Sequence, residues 1–350
     1  MRNPNSLRER GARRMFRKPG TLGVLAFLAI AWTFAGGAAE AKTTWDYYLF
    51  TGVTHPVTIF LSGFAEEVAR RTHGELEIIV RPSGELPFRA TEVVKVVGDG
   101  LVQMGSAYAG FISGTTPMAA VSGNPFLIRT YEELAATWPI IREYADKEFA
   151  SFGVMTLFHF SWPPQNFYGV GKPIRKPADF AGRKLRTTDS KQAEMLRRLK
   201  ASSVTLTTAE VPVAMERKVA EGVATAAFNA VGAKWAEFLE WGWMADIHIG
   251  GPNYELVNIA AFRALPAHVR ETLMQVAAEW STKMLREIEA EEQRARSILE
   301  NEYRMALYYP DEAQIASLTR MMESYWESWA KKQGPDGVAL MARVREKLGK

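Results

Sequence analysis

Phe180-Ala181-Gly182-Arg183-Lys184-Leu185-Arg186-Thr187-Thr188 is the stretch on which the fold turns. Lys184-Leu185-Arg186 alternates polar and apolar as a half-buried strand does. Asp189 or Ser190 can cap the segment that follows, which carries apolar Ala193, Leu196 and Leu199 at helical spacing. An arginine at a strand end, next to a helix N-terminus, suits an anion: its fork takes both oxygens of a carboxylate and the helix dipole adds to the field. A surface Arg186 paired with Asp189 or Asp179 is the plainer reading of the same residues.

Outward from this stretch the pattern repeats. A strand over Val204–Leu206, a helix over Val211–Ala220 and a strand over Val223–Phe228 ending at Asn229 are expected. Earlier, β-prone Thr43–Phe50 leads through His55-Pro56 into a helix with Ile59, Phe60, Phe64, Val68 and Ala69 on one face. Leu76–Val80 and Leu101–Ala107 read as buried strands flanking a helix from Thr91, so the order is β-α-β-α-β. That order predicts a parallel sheet with helices on its faces and ligands at the carboxyl ends of its strands. Those ends hold Phe50-Thr51, Leu86 to Arg89 and Ala107-Tyr108. The double proline Pro163-Pro164 marks a crossover to a second α/β half, and Tyr254–Phe262 is apolar enough to return through the first sheet. From Leu265-Pro266 a helical segment without a breaker runs to about Met305, long enough to brace both halves. Within it, Glu287–Arg296 reads as a solvated face. Hinges are expected near Pro163–Gln165 and Asn253-Tyr254, with a small-ligand cleft between the halves.

The first 41 residues differ in character. Seven arginines and lysines precede the apolar run Leu22–Phe34, and Ala39-Glu40-Ala41 offers a small-x-small cleavage site. This predicts a signal peptide cut before Lys42 and a periplasmic protein, against an uncleaved anchor as the competing reading. Two routes fit: Arg13-Arg14-Met15-Phe16-Arg17-Lys18 is similar to a twin-arginine signal, and a start at Met15 leaves an ordinary Sec signal. The leader holds seven of the 43 basic and two of the 39 acidic residues, leaving 36 against 37. The mature chain is therefore about −1, and the basic balance gives no ground for nucleic-acid binding. The absence of cysteine excludes thiolate catalysis, thiolate metal sites and disulfides. The five histidines lack two-His metal spacing, and Gly110-Phe111-Ile112-Ser113-Gly114 is no nucleophile elbow. Neither an enzyme nor a cofactor or metal site is expected.

The "P-S-G-E-L" loop Pro82–Leu86, Leu101-Val102-Gln103-Met104-Gly105, Asn124-Pro125-Phe126-Leu127, the Phe180–Arg186 stretch, Glu221–Asn229 and the long helix, in this order and spacing, resemble one family. It is that of the substrate-binding proteins of TRAP (tripartite ATP-independent periplasmic) transporters, the DctP-like proteins. The resemblance implies an α/β two-domain clamshell with a long helix spanning both domains. The division expected is 42–164 with 254–295, and 165–253 with 296–350. It further implies a non-enzymatic protein that holds an organic acid between the domains and delivers it to TRAP membrane subunits. The match places the carboxylate arginine at Arg186 and the strand-end asparagine at Asn229. Where many relatives carry a second basic residue this chain has Asn166; the usual Asp-Gly is Thr225-Ala226, and Phe228 replaces a polar residue. The expected ligand contacts are Arg186, Asn229, Phe50, Thr51, Phe88, Tyr108, Asn166, Tyr168 and Phe228, with Trp162 as a further aromatic wall. So aromatic a lining points to an aromatic or apolar monocarboxylate rather than a sugar acid. A free-standing periplasmic sensor or chaperone for the same ligand class is the alternative.

Overall fold

The computed structural model describes residues 42–350, so the expected signal peptide lies outside the described residues. β1 (Thr43–Tyr48), α1 (Pro56–Arg71), β2 (Leu76–Arg81), α2 (Val93–Gly98) and β3 (Met104–Tyr108) make the predicted β-α-β-α-β run. β1 lies parallel to both β2 and β3. α3 (Ala109–Ile112) and α4 (Tyr131–Ser151) follow, and β4 (Val154–Trp162) ends at the double proline. The chain then enters a second sheet through β5 (Gln165–Gly169), β6 (Lys184–Thr187), α5 (Ser190–Arg198), β7 (Ser202–Thr205), α6 (Val211–Glu216), β8 (Gly222–Thr225), α7 (Ala227–Gly232) and β9 (Trp241–His248). It returns through β10 (Gly251–Asn258), then α8 (Ile259–Ala264) and α9 (Ala267–Asn301). β11 (Ala306–Tyr308), α10 (Glu312–Lys332) and α11 (Gly334–Leu348) close the chain.

The first sheet has the order β2-β1-β3-β10-β4, with β10 antiparallel to both neighbours; the second is β11-β9-β5-β8-β6-β7. The two crossings sit side by side, because the Gly250 N–H donates to the carbonyls of Trp162 and Pro163 at 3.1 and 2.9 Å. Glycine is required there: a Cβ on Gly250 would lie 2.3 Å from that of Trp162, and Gly251 has φ +81°. Asn253-Tyr254, expected at a hinge, instead lies inside β10 with its backbone paired.

Helix starts are built locally. His55 caps α1 ahead of Pro56, Thr130 caps α4, Asp189 caps α5 and Asp311 caps α10. α9 spans 35 residues, about 52 Å at 1.5 Å per residue. It packs on α1 and β4 of the first half and on α7 of the second. No helix among the described residues is long and apolar enough to cross a membrane.

Two expectations fail for identifiable reasons. The strand over Val223–Phe228 stops at Thr225, and the alanine-rich Ala226-Ala227-Phe228-Asn229-Ala230 turns into α7. Glu287–Arg296 is not wholly solvated: Glu292 is 1% exposed, accepting from Arg296 Nε at 2.8 Å and from the Phe228 N–H at 2.8 Å. A carboxylate at the first turn of α7 serves donors that a helix start leaves unpaired.

Candidate ligand-binding cleft

The carboxyl ends of β3, β4, β6 and β8 converge on one cavity. Phe50, Tyr108, Phe111, Trp162, Gln165, Arg186, Thr188, Thr208, Thr225 and Asn229 line it.

Arg186 governs its electrostatics. It is 2% exposed, with Nε donating to the Leu206 carbonyl at 2.9 Å and Nη1 to the Ala224 carbonyl at 2.8 Å. Its guanidinium stands 5.6 Å from the Trp235 ring. No carboxylate pairs with it among the described residues. The plainer reading of Arg186 is thus corrected. Asp189 caps α5 and has Lys191 Nζ at 3.2 Å, while Asp179 accepts the Arg175 and Lys176 N–H groups. Burial draws the Arg186 pKa down to about 10. A buried cation that hydrogen-bonds only to carbonyls, with Glu210 and Asp189 acting on it from beyond ion-pair distance and Nη2 unengaged, has spare capacity for an anion.

The other polar groups are spaced around it. The Asn229 amide donates to Thr225 Oγ1 at 2.9 Å, its side chain lies within hydrogen-bonding reach of His55, and Gln165 Nε2 donates to the Pro163 carbonyl at 2.9 Å. Thr188 Oγ1 is buried without a partner. The walls are aromatic. Phe50 meets Phe111 edge-on at 5.3 Å and Trp162 at 6.0 Å, and Tyr108 lies 6.2 Å from Trp162. Trp162 is itself anchored: its indole N–H donates to Asn253 Oδ1 at 3.0 Å. Asn253 Nδ2 donates to Ser106 Oγ and to Glu255 Oε1, and Tyr47 donates to the same buried carboxylate.

Of the sequence-derived ligand contacts, Arg186, Asn229, Phe50 and Tyr108 come together here. Phe88 lines an adjoining space with Arg89 and Glu210. Four residues point elsewhere. Thr51 pairs with Thr58 behind the strand end at 2.7 Å. Phe228 is buried against His55 and Trp162. Asn166 Nδ2 donates to Asp246 Oδ1 at 3.0 Å, and Tyr168 is fully buried beside the charges of Glu292, Arg296 and Asp246. The last two share a face because strand side chains alternate. The cavity therefore receives Gln165, the neighbour that sequence reading passed over. The same alternation, carried past Arg186, would have pointed to Thr188; nothing comparable singled out Phe111, Thr208 or Thr225.

A family model described as "Bacterial extracellular solute-binding protein, family 7" (DctP) matches residues 50–333. A curated relative, the uncharacterized protein YiiZ of Salmonella typhimurium, is 24% identical over 71% of this chain and 76% of its own length. Among solved structures, DctP7 of Bordetella pertussis, an extracytoplasmic solute receptor binding pyroglutamic acid, superposes with a TM-score of 0.81 at 24% identity, covering 87% of this chain and 99% of its own. A TRAP solute-binding protein from Chromohalobacter salexigens with bound D-glucuronate gives 0.79 at 16% identity, over 87% and 99%. With a clamshell of two sheets braced by one long helix, and a family match running from just after β1 through the end of α10, the chain belongs to the DctP family of TRAP solute-binding proteins.

Proposed function

We propose that this protein captures a small organic monocarboxylate with an aromatic or apolar body, in the periplasm, and delivers it to TRAP membrane subunits. The observation that carries the reading is Arg186, a buried guanidinium without an anionic partner facing an aromatic-walled cavity. A carboxylate there takes the Nη donors and pairs with a guanidinium that has no ion-pair partner, while Phe50, Phe111 and Trp162 cover a flat, weakly polar body. Asn229 Oδ1 and Gln165 Oε1 offer acceptors for a single N–H or O–H, fewer partners than a ring of sugar hydroxyls requires. That two neighbours of similar fold differ in ligand, pyroglutamic acid in one and D-glucuronate in the other, leaves the lining as the guide to selectivity. In this reading the division is 42–164 with 254–295 against 165–253 with 296–350, and ligand bridging the two halves biases the closed form.

The test is a thermal-shift screen of the chain from Lys42 against benzoate, pyroglutamate, 3-methylbutanoate, glutarate and glucuronate, each beside its amide. A ligand that binds only the native state raises the melting temperature by mass action. Stabilisation by a cyclic monocarboxylate, lost in its amide and in Arg186→Ala, supports the reading. Equal shifts from acid and amide, or none from any acid, sink it.

A further inference from the structure

A chain of hydrogen bonds crosses four neighbouring strands of the first sheet and ends at the wall of the cleft. On β1 the Tyr47 hydroxyl donates to Glu255 Oε2, and on β3 Ser106 Oγ donates to Glu255 Oε1 at 3.1 Å. On β10 Asn253 Nδ2 donates to Glu255 Oε1 at 2.6 Å and to Ser106 Oγ at 2.8 Å. On β4 the Trp162 indole N–H donates to Asn253 Oδ1 at 3.0 Å. The register accounts for this alignment. Glu255 lies opposite Ser106 and Asn253 opposite Phe160, which makes Asn253 and Trp162 diagonal neighbours on one face. All five side chains are buried. A buried polar chain is a costly way to hold a sheet that apolar packing could hold as well, and its best-attested return is a specified arrangement.

The chain has a direction, and it leads to Trp162. Glu255 receives three donors, so the Asn253 amide meets it with Nδ2 and turns Oδ1 toward the indole. An amide turned the other way would set donor against donor at Trp162. The indole also packs on Phe50, Phe160 and Phe228, with ring centroids at 6.0, 5.8 and 5.9 Å. Ring contacts of this kind hold the plane of the indole. A half-turn about Cβ–Cγ preserves that plane yet carries the six-membered ring to the other side, and packing on ring faces discriminates poorly between the two. The bond to Asn253 is available in only one of them. Trp162 is the last residue of β4 and lines the Arg186 cavity, so this choice sets the shape that a ligand meets.

We infer that Asn253 is a positioning residue for ligand recognition: its Oδ1 holds the Trp162 indole in one of two orientations, giving the cleft a fixed flat wall that favours planar monocarboxylates over branched ones. The inference rests on the reading of Arg186 as the carboxylate site.

Calorimetry with benzoate and 3-methylbutanoate tests it in four proteins: wild type, Asn253→Ala, Trp162→Phe and the double variant. Wild type is expected to bind benzoate at least about tenfold more tightly than 3-methylbutanoate. Asn253→Ala should lower that preference by about three- to tenfold, the size of one lost hydrogen bond. A phenyl ring has no N–H and is symmetric about Cβ–Cγ, so in the Trp162→Phe background the same change should move the preference by less than about twofold. A general weakening of the fold would lower both affinities alike in either background. An unchanged preference in Asn253→Ala overturns the inference, as does an equal fall in both backgrounds. So does 3-methylbutanoate binding wild type as tightly as benzoate, a comparison that needs no variant. If Asn253→Ala does not fold, nitrogen-15 spectra of ligand-free wild type decide. The indole resonance missing from Trp162→Phe should be single and slow to exchange with solvent, and a doubled or rapidly exchanging one overturns the inference. Failure of Arg186→Ala to weaken benzoate, or no binding of any acid in the screen, overturns the carboxylate reading itself and this inference with it.

Discussion

Replacing Arg186 by methionine should separate binding from stability. Burial pulls the guanidinium pKa down to about 10 from its ordinary value. At ~1.4 kcal/mol per pH unit that is a penalty of about 3 kcal/mol for keeping the charge in the ligand-free protein. A base whose pKa is depressed by folding is destabilising at every pH below its folded value, and relief comes only as pH rises beyond about 10. At pH 7.5 the penalty is therefore present in full. Methionine, of similar length, removes it and forfeits the hydrogen bonds to the Leu206 and Ala224 carbonyls. Those two charge-assisted bonds are worth about 1.5–3 kcal/mol each, so the net loss of stability is between about 0 and 3 kcal/mol and the variant folds. Binding fares differently. A carboxylate loses its only buried counter-charge, and affinity should drop by about 2–5 kcal/mol, a factor of roughly 30 to 5,000. The assay pairs urea denaturation of ligand-free protein with calorimetry, using the acid that stabilises wild type most and its amide. Arg186→Lys should also weaken the acid, because an ammonium cannot reproduce the fork. Acid affinity within about threefold of wild type in the methionine variant would refute the reasoning.

Other consequences follow from groups around the cavity. Glu292→Ala leaves Arg296 and the Phe228 N–H without their buried acceptor. It should cost about 3–5 kcal/mol in urea denaturation, and a loss below about 1 kcal/mol would return this stretch to the solvated face read from sequence. Burial raises the Glu255 pKa to about 7, well above that of the unfolded chain. Raised acids disfavour the charged form, so its contribution to stability falls as pH climbs from about 4.5 through 7. Buried His55 and His159, each lowered to about 4, work the opposite way over much of that window and mask the effect in wild type. The stability difference between Glu255→Gln and wild type should therefore grow in favour of the variant by up to about 3 kcal/mol between pH 4.5 and 7.5. A difference independent of pH would show that Tyr47, Ser106 and Asn253 hold the carboxylate ionised at no cost.

Much of the architecture was legible because it is periodic. Alternation around Leu185, the β-α-β-α-β order and the breaker-free run after Pro266 each rest on a local repeat that tertiary contacts reinforce. The site was legible only where a residue's type was enough. Arg186 stands out as a cation at a strand end whatever surrounds it, and Phe50 and Tyr108 follow from where strands stop. Orientation was harder. Asn166 and Tyr168 look like ligand contacts by chemistry, yet β5 turns both toward Asp246, Arg296 and Glu292 and presents Gln165 to the cavity. A register error of one residue exchanges faces entirely. Phe228 and Asn229 were read as ligand contacts at the end of a strand, where neighbouring side chains point to opposite faces; in a helix they lie about 100° apart. That rotation lets Asn229 reach the cavity and Thr225 while Phe228 turns toward His55. Beside the alanine-rich local preference for helix, Glu292, more than sixty residues onward, supplies an acceptor for the Phe228 N–H at the first turn of α7. No local pattern around residue 228 encodes that partner. The charge that sequence alone assigns to solvent therefore helps set which side chains the ligand meets.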